Sequence, residues 1–329
     1  MASSRDSKIV SKLEAWFEHN GKDYPWRQTT DPYAILVSEI MLQQTQITTV
    51  LERGYYSGWM KKFPTFAALA AASEDDVLKA WEGLGYYRRA RNLQKLAQAV
   101  IGQHAGQFPS DTAAMRALPG VGPYTAGAVA SFAFDLAAPL VDGNVARVLS
   151  RLNNDATPVD TPQAQKQLWQ TANNLVLLAG SPRRFNSALM ELGQTHCRPE
   201  KPACLLCPIK AHCTADNPES LPKKSKRIAL TEVIESAVLS VKDGAILLEQ
   251  ETGPRRTGLW RLPRVETVPT GWERVTTLTY GITRYKVRMT VFRPTTPLPP
   301  AEHQRYIPFS HLPTVALASP YKKALNLLL

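Results

Sequence analysis

The sequence has few cysteines, no long apolar run and fewer acidic than basic residues. No apolar stretch approaches the ~20 residues that cross a bilayer, and no Gly-, Ser- or Gln-rich tract occurs, which excludes membrane-spanning and low-complexity classes. The N-terminal stretch MASSRDSKIV lacks the apolar segment of a signal peptide, so we expect a cytoplasmic protein. Structural disulfides are rare in that compartment.

The charge balance is strongly basic. There are 28 acidic residues against 39 Lys and Arg, and the formal net charge is +11. Such a charge is typical of nucleic-acid-binding proteins, but it also fits a well-solvated surface, so a second signal is needed.

The sequence predicts two domains, one helical and one with many strands. Residues 1–215 contain helical patterns with short Gly and Pro breaks, and the Asp31-Pro32 pair predicts a helix start. Residues 216–231 are polar and basic and predict a linker. Residues 232–329 contain strand patterns, including VIESAVLSV and AILLEQ, which predict a hairpin with Asp243-Gly244 at its tip.

All four cysteines lie in one short segment, at Cys197, Cys204, Cys207 and Cys213. Two metal centres accept four thiolates, a zinc ion and a [4Fe-4S] cluster. Zinc sites commonly use two CxxC pairs, whereas this segment has one CxxC with a single cysteine on each side. The spacing favours the cluster, and zinc stays open.

The stretch ALPGVGPYTAGAVA places Gly120, Val121 and Gly122 in a tight turn directly before a helix of small residues. Backbone N–H groups of such a turn, together with the helix N-terminus, bind a phosphate oxygen. An ordinary helix–helix turn has the same glycine pattern, so the turn alone does not establish DNA binding.

Two carboxylates have contexts that suit glycosidic chemistry. Asp142 precedes a helical pattern, where it is an N-cap and where the helix dipole favours an anion. Glu39 has mostly apolar helical neighbours, and burial there would raise its pKa and suit it to acid catalysis. Spacing alone does not select these two among 28 acidic residues.

A resemblance to a known family selects them. The cysteine spacing is similar to that of the endonuclease III superfamily, and seven segments in order resemble adenine DNA glycosylases (the MutY type) over residues 8–215: YPWR, DPY, SEIMLQQTQ, GLGYYRRARNL, LPGVGPYTAGAVA, VDGNVARVLSRL and FNSALMELG. The resemblance implies a mainly α helix-hairpin-helix glycosylase domain with a four-cysteine iron–sulfur loop, and a smaller α+β, Nudix-like C-terminal domain.

The implied activity is monofunctional excision of adenine mispaired with 8-oxoguanine or guanine, in base excision repair. By position, Glu39 would protonate the purine and activate water, and Asp142 would stabilise the sugar cation. Tyr124 would lie beside them, at the position where bifunctional relatives carry a lysine nucleophile. The implied DNA contacts are Arg27, Gln43, Gln44, Tyr86, Gly120, Val121, Gly122, Ser187, Ile282, Thr283 and Arg284.

Several of those positions depart from the family pattern. Ser187 stands where the family usually has Gln or Glu, and Tyr24 stands where Leu is common. Ile282, Thr283 and Arg284 replace a Phe-Ser-His turn, and Tyr86 without the resemblance would be interpreted as a core aromatic. A glycosylase of the same fold with another target base or opposite lesion therefore stays open, as does a non-catalytic iron–sulfur DNA-binding protein.

The expected cofactor is one [4Fe-4S] cluster. The expected partner is double-stranded DNA that contains a mispaired or damaged base, with no membrane, and we expect a monomer associated with the nucleoid.

Overall fold

The computed structural model describes residues 4–225, 230–253, 256–282 and 284–328. The chain divides into two compact units. The first holds the chain up to Val50, Thr65–Ala67, and the chain from Lys95 through the cysteine segment. The second holds Leu51–Pro64, Ala68–Gln94 and the C-terminal strands and helix. The second unit thus includes helical segments that the sequence assigned to the first domain, and the boundaries at 215 and 231 stay a prediction.

The helices begin and end where the sequence carries capping residues. Asp31 accepts hydrogen bonds from the N–H groups of Tyr33 and Ala34, as predicted, and Ser73, Asp111 and Thr161 cap other helices. No described helix has the length and apolar character of a membrane span. The α-helices are α1 Ser4–Asn20, α2 Pro32–Met41, α3 Ile47–Glu52, α4 Tyr55–Lys62, α5 Phe66–Ala71, α6 Glu74–Ala80, α7 Arg88–Gln103, α8 Thr112–Ala117, α9 Pro123–Phe134, α10 Gly143–Leu152, α11 Pro162–Val176, α12 Pro182–Thr195 and α13 Ser319–Leu328.

In the first unit, α1 packs on α12, α10 packs on α12, and α2 packs on α9. Ile9, Leu13, Leu149 and Phe185 belong to the common core of this unit. Burial of such side chains contributes about 1.5–3 kcal/mol each. The core fixes the relative positions of the helices that carry the predicted catalytic residues.

The cysteine segment is tied to α10 by a buried arginine. Arg151 is 1% exposed and donates hydrogen bonds to the carbonyl oxygens of Arg198, Pro199 and Leu221, at 2.6, 2.9 and 3.0 Å. Short 3-10 helices follow the chain through this region, at Cys204–Leu206, Lys210–His212 and Pro218–Ser220. The arginine supplies donors for carbonyl groups that regular structure does not pair.

In the second unit the described strands form two sheets. One has the order β5-β1-β7-β6, with β1 parallel to β7, and the other pairs β3 with β2, β4 and β8. The strands are β1 Thr231–Val238, β2 Val241–Lys242, β3 Ala245–Gln250, β4 Trp260–Arg261, β5 Arg264–Val265, β6 Glu273–Ile282, β7 Tyr285–Arg293 and β8 Gln304–Pro308.

The predicted hairpin is correct in its turn and wrong in its first strand. Asp243 and Gly244 form the tip with φ of 47° and 71°, but the partner of β3 across that turn is the short β2. The long strand β1 belongs to the other sheet. The chain passes from one sheet to the other at Ser240, which lies between β1 and β2 and is fully buried. The hydroxyl groups of Ser240 and Tyr306 share a hydrogen bond.

The helices of the second unit are joined to its C-terminal segment by a partly buried network of ion pairs. The Glu82 carboxylate accepts from the Nζ of Lys79 at 2.9 Å, from the Nζ of Lys322 at 2.6 Å, and from the backbone N–H of Leu317 at 3.2 Å. Trp59 and Trp81, both buried, pack edge to face in the same unit. These contacts join Trp59, the segment 79–82 and the segment 317–322 within this unit.

Replacement of Arg151 tests the anchoring of the cysteine segment. We expect Arg151→Met to lower the free energy of unfolding by about 3–5 kcal/mol, because one buried and two partly buried hydrogen bonds to carbonyl groups are lost. Urea unfolding followed by circular dichroism measures the change. Arg198→Met is the control, since Arg198 is exposed and donates only to the Lys201 carbonyl among the bonds described. Equal stability of the two variants would contradict the anchoring role.

Candidate active site

Glu39 lies on α2 with its side chain in the interior. It is 4% exposed, and every residue of α2 from Tyr33 to Met41 is buried. The apolar residues that flank Glu39 therefore belong to a helix that is buried from Tyr33 to Met41. Glu39 forms part of the wall of a pocket. The buried orientation is the one that acid catalysis requires.

Tyr124, at the start of α9, donates a hydrogen bond from its hydroxyl to Glu39 Oε2 at 2.6 Å. Burial raises the pKa of Glu39 to about 7, against the opposing effects of the Tyr124 hydrogen bond and of the Arg27 charge. The negative charge of Asp142 adds to the rise. Glu39 is therefore partly protonated at neutral pH and can donate a proton.

Asp142 is the N-cap of α10. Its Oδ1 accepts from the backbone N–H of Val145 at 2.7 Å, and its Oδ2 accepts from Asn144 Nδ2 at 3.0 Å. Both hydrogen bonds come from N–H donors, and they fix the orientation of the carboxylate at the N-terminus of α10. The capping role and the stabilising-anion role that the sequence left as alternatives are thus compatible in one residue.

Glycines on two helices allow α10 to approach. A Cβ at Gly127 would lie 2.0 Å from the Pro139 carbonyl oxygen, and a Cβ at Gly193 would lie 2.8 Å from Asn144 Cβ. The small-residue pattern of α9 therefore has a packing function, because it lets the segment that leads to Asp142 run against the helix that carries Tyr124.

The pocket beside Glu39 is small. Its volume is about 40 Å³, which is room for two or three water molecules. Its walls include Tyr24, Trp26, Arg27, Glu39, Ser187 and Gln194. The rings of Tyr24 and Trp26 stack with centroids 5.3 Å apart. The pocket thus offers an acid, a cation, a flat aromatic pair and space for a nucleophilic water.

Two charged residues around this pocket were missed in the sequence. Arg183 lines it, and its Nη2 donates to the carbonyl oxygens of Arg27 and Thr29. Glu191, on α12, is 0% exposed and lies 2.8 Å from Arg27 Nη1. The available signal was a single acidic residue within the apolar stretch SALMELG, one helical turn after Ser187.

The predicted phosphate-binding turn joins α8 to α9. Gly120 has φ of 78°, a left-handed conformation that favours glycine, and Gly122 is the N-cap of α9 with Pro123 at the first helical position. After α2, Gln43 donates to Thr125 Oγ1 at 3.4 Å, and the exposed Gln44 has φ of 59°. A left-handed non-glycine residue on the surface is a strained position of the kind found at binding sites.

The remaining predicted DNA contacts belong to the second unit. Tyr86 has φ of 46° and is 56% exposed, so interpretation as a core aromatic is wrong. Ile282 ends β6, and Arg284 is exposed with its Nη2 donating to Tyr285 Oη at 3.1 Å. Thr283 lies outside the described residues. The structure therefore groups Glu39, Tyr124, Asp142, Arg27 and Ser187 in the first unit, apart from this second set.

The four thiols suit a metal centre by their chemistry. Cys197, Cys207 and Cys213 pack against the core, burial raises the pKa of Cys207 to about 11, and Arg151 Nη1 donates to Cys197 Sγ at 3.4 Å. Among the residues that the structure describes, the thiols do not form a preformed coordination group. Partly buried thiols beside a cationic hydrogen-bond donor fit a metal centre, which binds them as thiolates.

Comparison with known proteins gives the relationship. A family model described as HhH-GPD superfamily base excision DNA repair protein matches residues 37–173. The adenine DNA glycosylase of Homo sapiens is 45% identical over 212 residues, 62% of this chain and 38% of that protein. That of Buchnera aphidicola subsp. Acyrthosiphon pisum is 33% identical over 241 residues, 72% of this chain and 68% of that protein. The chain belongs to the adenine DNA glycosylase family.

The adenine DNA glycosylase resemblance predicted from the motifs is therefore confirmed, as is the helix-hairpin-helix fold with an α+β C-terminal region. A solved structure of a thermostable thymine-DNA glycosylase is 32% identical, with a TM-score of 0.58 over 64% of this chain and 95% of that one. The chain spans 38% of the length of the human adenine DNA glycosylase, about two fifths.

The raised pKa of Glu39 has a consequence for stability. A carboxyl group whose pKa is higher in the folded state destabilises that state as pH rises from about 4.5 to about 7, because the unfolded chain loses the proton first. We expect Glu39→Gln to raise the free energy of unfolding by about 2–3 kcal/mol at pH 8 and to leave it nearly unchanged at pH 4.5. Urea unfolding at both pH values measures this.

The matched control is Glu52→Gln, which removes an acidic residue from an exposed position. The control should show no such pH-dependent gain. A Glu39→Gln variant that is no more stable than wild type at pH 8 would contradict the buried, proton-retaining environment.

Proposed function

We propose that this protein is a monofunctional DNA glycosylase, a hydrolase that excises adenine paired with 8-oxoguanine or guanine in double-stranded DNA. The observation that carries the proposal is the buried Glu39, with a pKa of about 7 and a hydrogen bond from Tyr124, beside the N-cap carboxylate of Asp142. Cleavage of a glycosidic bond commonly uses two carboxyl groups, one as an acid and one as a stabilising anion, and the raised pKa of Glu39 suits it to the acid role.

In the proposed reaction the target nucleotide is flipped out of the duplex so that its base faces Glu39 at the mouth of the pocket, whose interior has room for water only. Glu39 donates its proton to a ring nitrogen of the purine, which makes the base a better leaving group. The bond between base and sugar breaks, and the Asp142 carboxylate stabilises the oxocarbenium-like sugar. Glu39, now ionised, accepts a proton from the attacking water.

Water is the proposed nucleophile because the chain offers no amine at the position of Tyr124. A phenol cannot form an imine with the sugar. The Tyr124 hydroxyl instead holds the Glu39 carboxyl group in one orientation, and burial together with Glu39 and Asp142 keeps the pKa of Tyr124 well above its ordinary value. The tyrosine therefore stays a neutral donor throughout.

The proposed DNA contacts divide into two kinds. Gly120, Val121 and Gly122 would bind a backbone phosphate through their N–H groups and the N-terminus of α9. Gln44 and Tyr86, both exposed in left-handed conformations, would insert into the base stack next to the flipped nucleotide. The net charge of +11 supports attraction to DNA.

The C-terminal region is proposed to be Nudix-like and to contact the base opposite the adenine through the β6–β7 turn with Ile282, Thr283 and Arg284. Arg284 offers a guanidinium, which donates hydrogen bonds to O6 and N7 of guanine; in 8-oxoguanine, whose N7 carries a hydrogen, it would donate to a carbonyl oxygen. The protein would act as a monomer on DNA in the nucleoid.

A second candidate is a glycosylase with a different target base. The observation in its favour is that Tyr24 and Ser187, two departures from the family pattern, both line the pocket beside Glu39. The similarity to a thymine-DNA glycosylase over 95% of that chain adds to it.

Single-turnover excision distinguishes the two. We expect duplexes with adenine opposite 8-oxoguanine or guanine to be cleaved at least about 100-fold faster than those with adenine opposite cytosine or thymine, with Asp142→Asn slowed by about 100- to 10,000-fold. Thymine opposite guanine is the test substrate for the second candidate. Faster release of thymine than of adenine would replace the first proposal by the second.

Cys197, Cys204, Cys207 and Cys213 are proposed to hold one [4Fe-4S] cluster, which when bound would fix this loop and serve no step of the hydrolysis. We expect anaerobically purified protein to contain about four irons per chain with broad visible absorption, and Cys207→Ser to lose both. Elemental analysis measures the metal. One zinc per colourless chain would contradict the cluster.

A further inference from the structure

Glu191 is a buried carboxylate without a role in the reaction described above. It is 0% exposed, and neither of its oxygens accepts a directed hydrogen bond from the described residues. Its contact is an ion pair, in which Oε2 lies 2.8 Å from Arg27 Nη1. Because desolvating a carboxylate is unfavourable and one ion pair repays it only in part, its position calls for an explanation other than stability.

Arg27 is held in place independently of Glu191. Its Nη1 donates to the Lys22 carbonyl oxygen at 2.8 Å, and its guanidinium lies over the rings of Phe17 and Tyr24, at 5.0 and 4.8 Å from their centroids. Its own carbonyl oxygen accepts from Arg183 at 2.8 Å. Loss of Glu191 would therefore leave the guanidinium where it is and change the balance of charge around it.

Arg27 and Glu39 line the same pocket, and the positive charge of Arg27 favours the ionised form of Glu39. Among the described residues, Tyr124 from α9 and Asp142 at the start of α10 are the other charged and titratable groups that act on Glu39. Tyr24, whose ring lies under Arg27, and Arg183, from α12, also line the pocket. Glu191 is the anion that touches Arg27, so it offsets the cation that opposes protonation of Glu39.

We propose that Glu191 is a positioning residue for the glycosylase: by neutralising Arg27 it keeps the proton on Glu39 that the reaction consumes. The inference rests on the proposed function for its catalytic meaning, but the electrostatic link from Glu191 through Arg27 to Glu39 does not depend on which base is removed. The link predicts that charge changes at Glu191 and at Arg27 move the protonation of Glu39 in opposite directions.

A direct titration of Glu39 tests the link without any activity measurement. Protein labelled with ¹³C at glutamate carboxyl groups is titrated by NMR, and the Glu39 signal is identified by its loss in Glu39→Gln. We expect the midpoint to fall from about 7 toward about 6 in Glu191→Gln, because an unbalanced cation then acts on Glu39. Arg27→Met should raise the midpoint, and the double variant should return it close to the wild-type value.

Two controls separate charge from structure. Glu191→Asp keeps the anion and should keep the midpoint near 7, and its folding also shows whether the site tolerates substitution. Glu18→Gln removes a half-exposed carboxylate from an ion pair with Arg184 on the surface, and should leave the midpoint unchanged. If Glu191→Gln does not fold, the upward shift in Arg27→Met is the remaining test of the same link.

The pH dependence of single-turnover excision gives the catalytic readout. Since the reactive form carries the Glu39 proton, the rate of Glu191→Gln should match wild type near pH 5.5 and be about tenfold lower above pH 8, the factor that one pH unit represents. A uniform loss at all pH values would indicate a merely structural role and overturn the proposal.

A Glu39 midpoint that is the same in wild type and in folded Glu191→Gln would also overturn it, as would an equal shift in Glu18→Gln. The proposed function has a separate failure: wild type that releases no adenine from any duplex would refute adenine excision, while the NMR titration would still decide whether Glu191 controls Glu39.

Discussion

The structure of the first unit depends on keeping one carboxyl group out of water. Glu39 is buried on a helix that is buried from Tyr33 to Met41, and among the described residues it receives a directed hydrogen bond from Tyr124. An acid in such a place keeps its proton to near-neutral pH, so it can donate that proton to a substrate. The same raised pKa lowers the stability of the folded state above pH 7. Proteins retain such destabilising groups where function requires them. The surrounding helices have to be rigid enough to keep bulk water from the group, so that only the few water molecules for which the pocket has room can reach it.

Two features of the first unit contribute to that rigidity: the close approach of the chain before α10 to α9, and the buried arginines of α10. Gly127 lets the chain before α10 run against α9, which brings Asp142 toward Tyr124. From Asp142 a chain of hydrogen bonds continues through Asn144 to Arg147, whose Nε donates to the Cys197 carbonyl oxygen at 2.7 Å and whose Nη2 donates to that of Gly193. The first cysteine and Asp142 are therefore joined by hydrogen bonds through residues of one helix.

The sequence predicts local structure well where the physical cause is local. The helix start at Asp31-Pro32, the cap at Asp142 and the turn at Asp243-Gly244 depend on residues adjacent in the chain, and all three occur. Strand pairing does not depend on adjacent residues. β1 pairs with β7, some fifty residues later in the chain, and not with the nearby β3. Glu39 and Asp142 could be selected among the acidic residues only by resemblance, since their proximity results from helix packing that no spacing in the sequence encodes. Glu191 escaped notice for the same reason, because its partner Arg27 lies in a distant segment.

The two carboxylates of the site differ because their surroundings differ, although both are acidic side chains near the start or middle of helices. Asp142 accepts two hydrogen bonds from N–H groups at a helix N-terminus, which lowers the cost of its charge. Glu39 has one phenol, an apolar helix and the neighbouring negative charge of Asp142, and each of the last two raises its proton affinity. The ionised Asp142 thus contributes to keeping Glu39 protonated. The proposed stabilising anion and the proposed acid are therefore electrostatically linked before any substrate is bound, because the charge of one raises the pKa of the other.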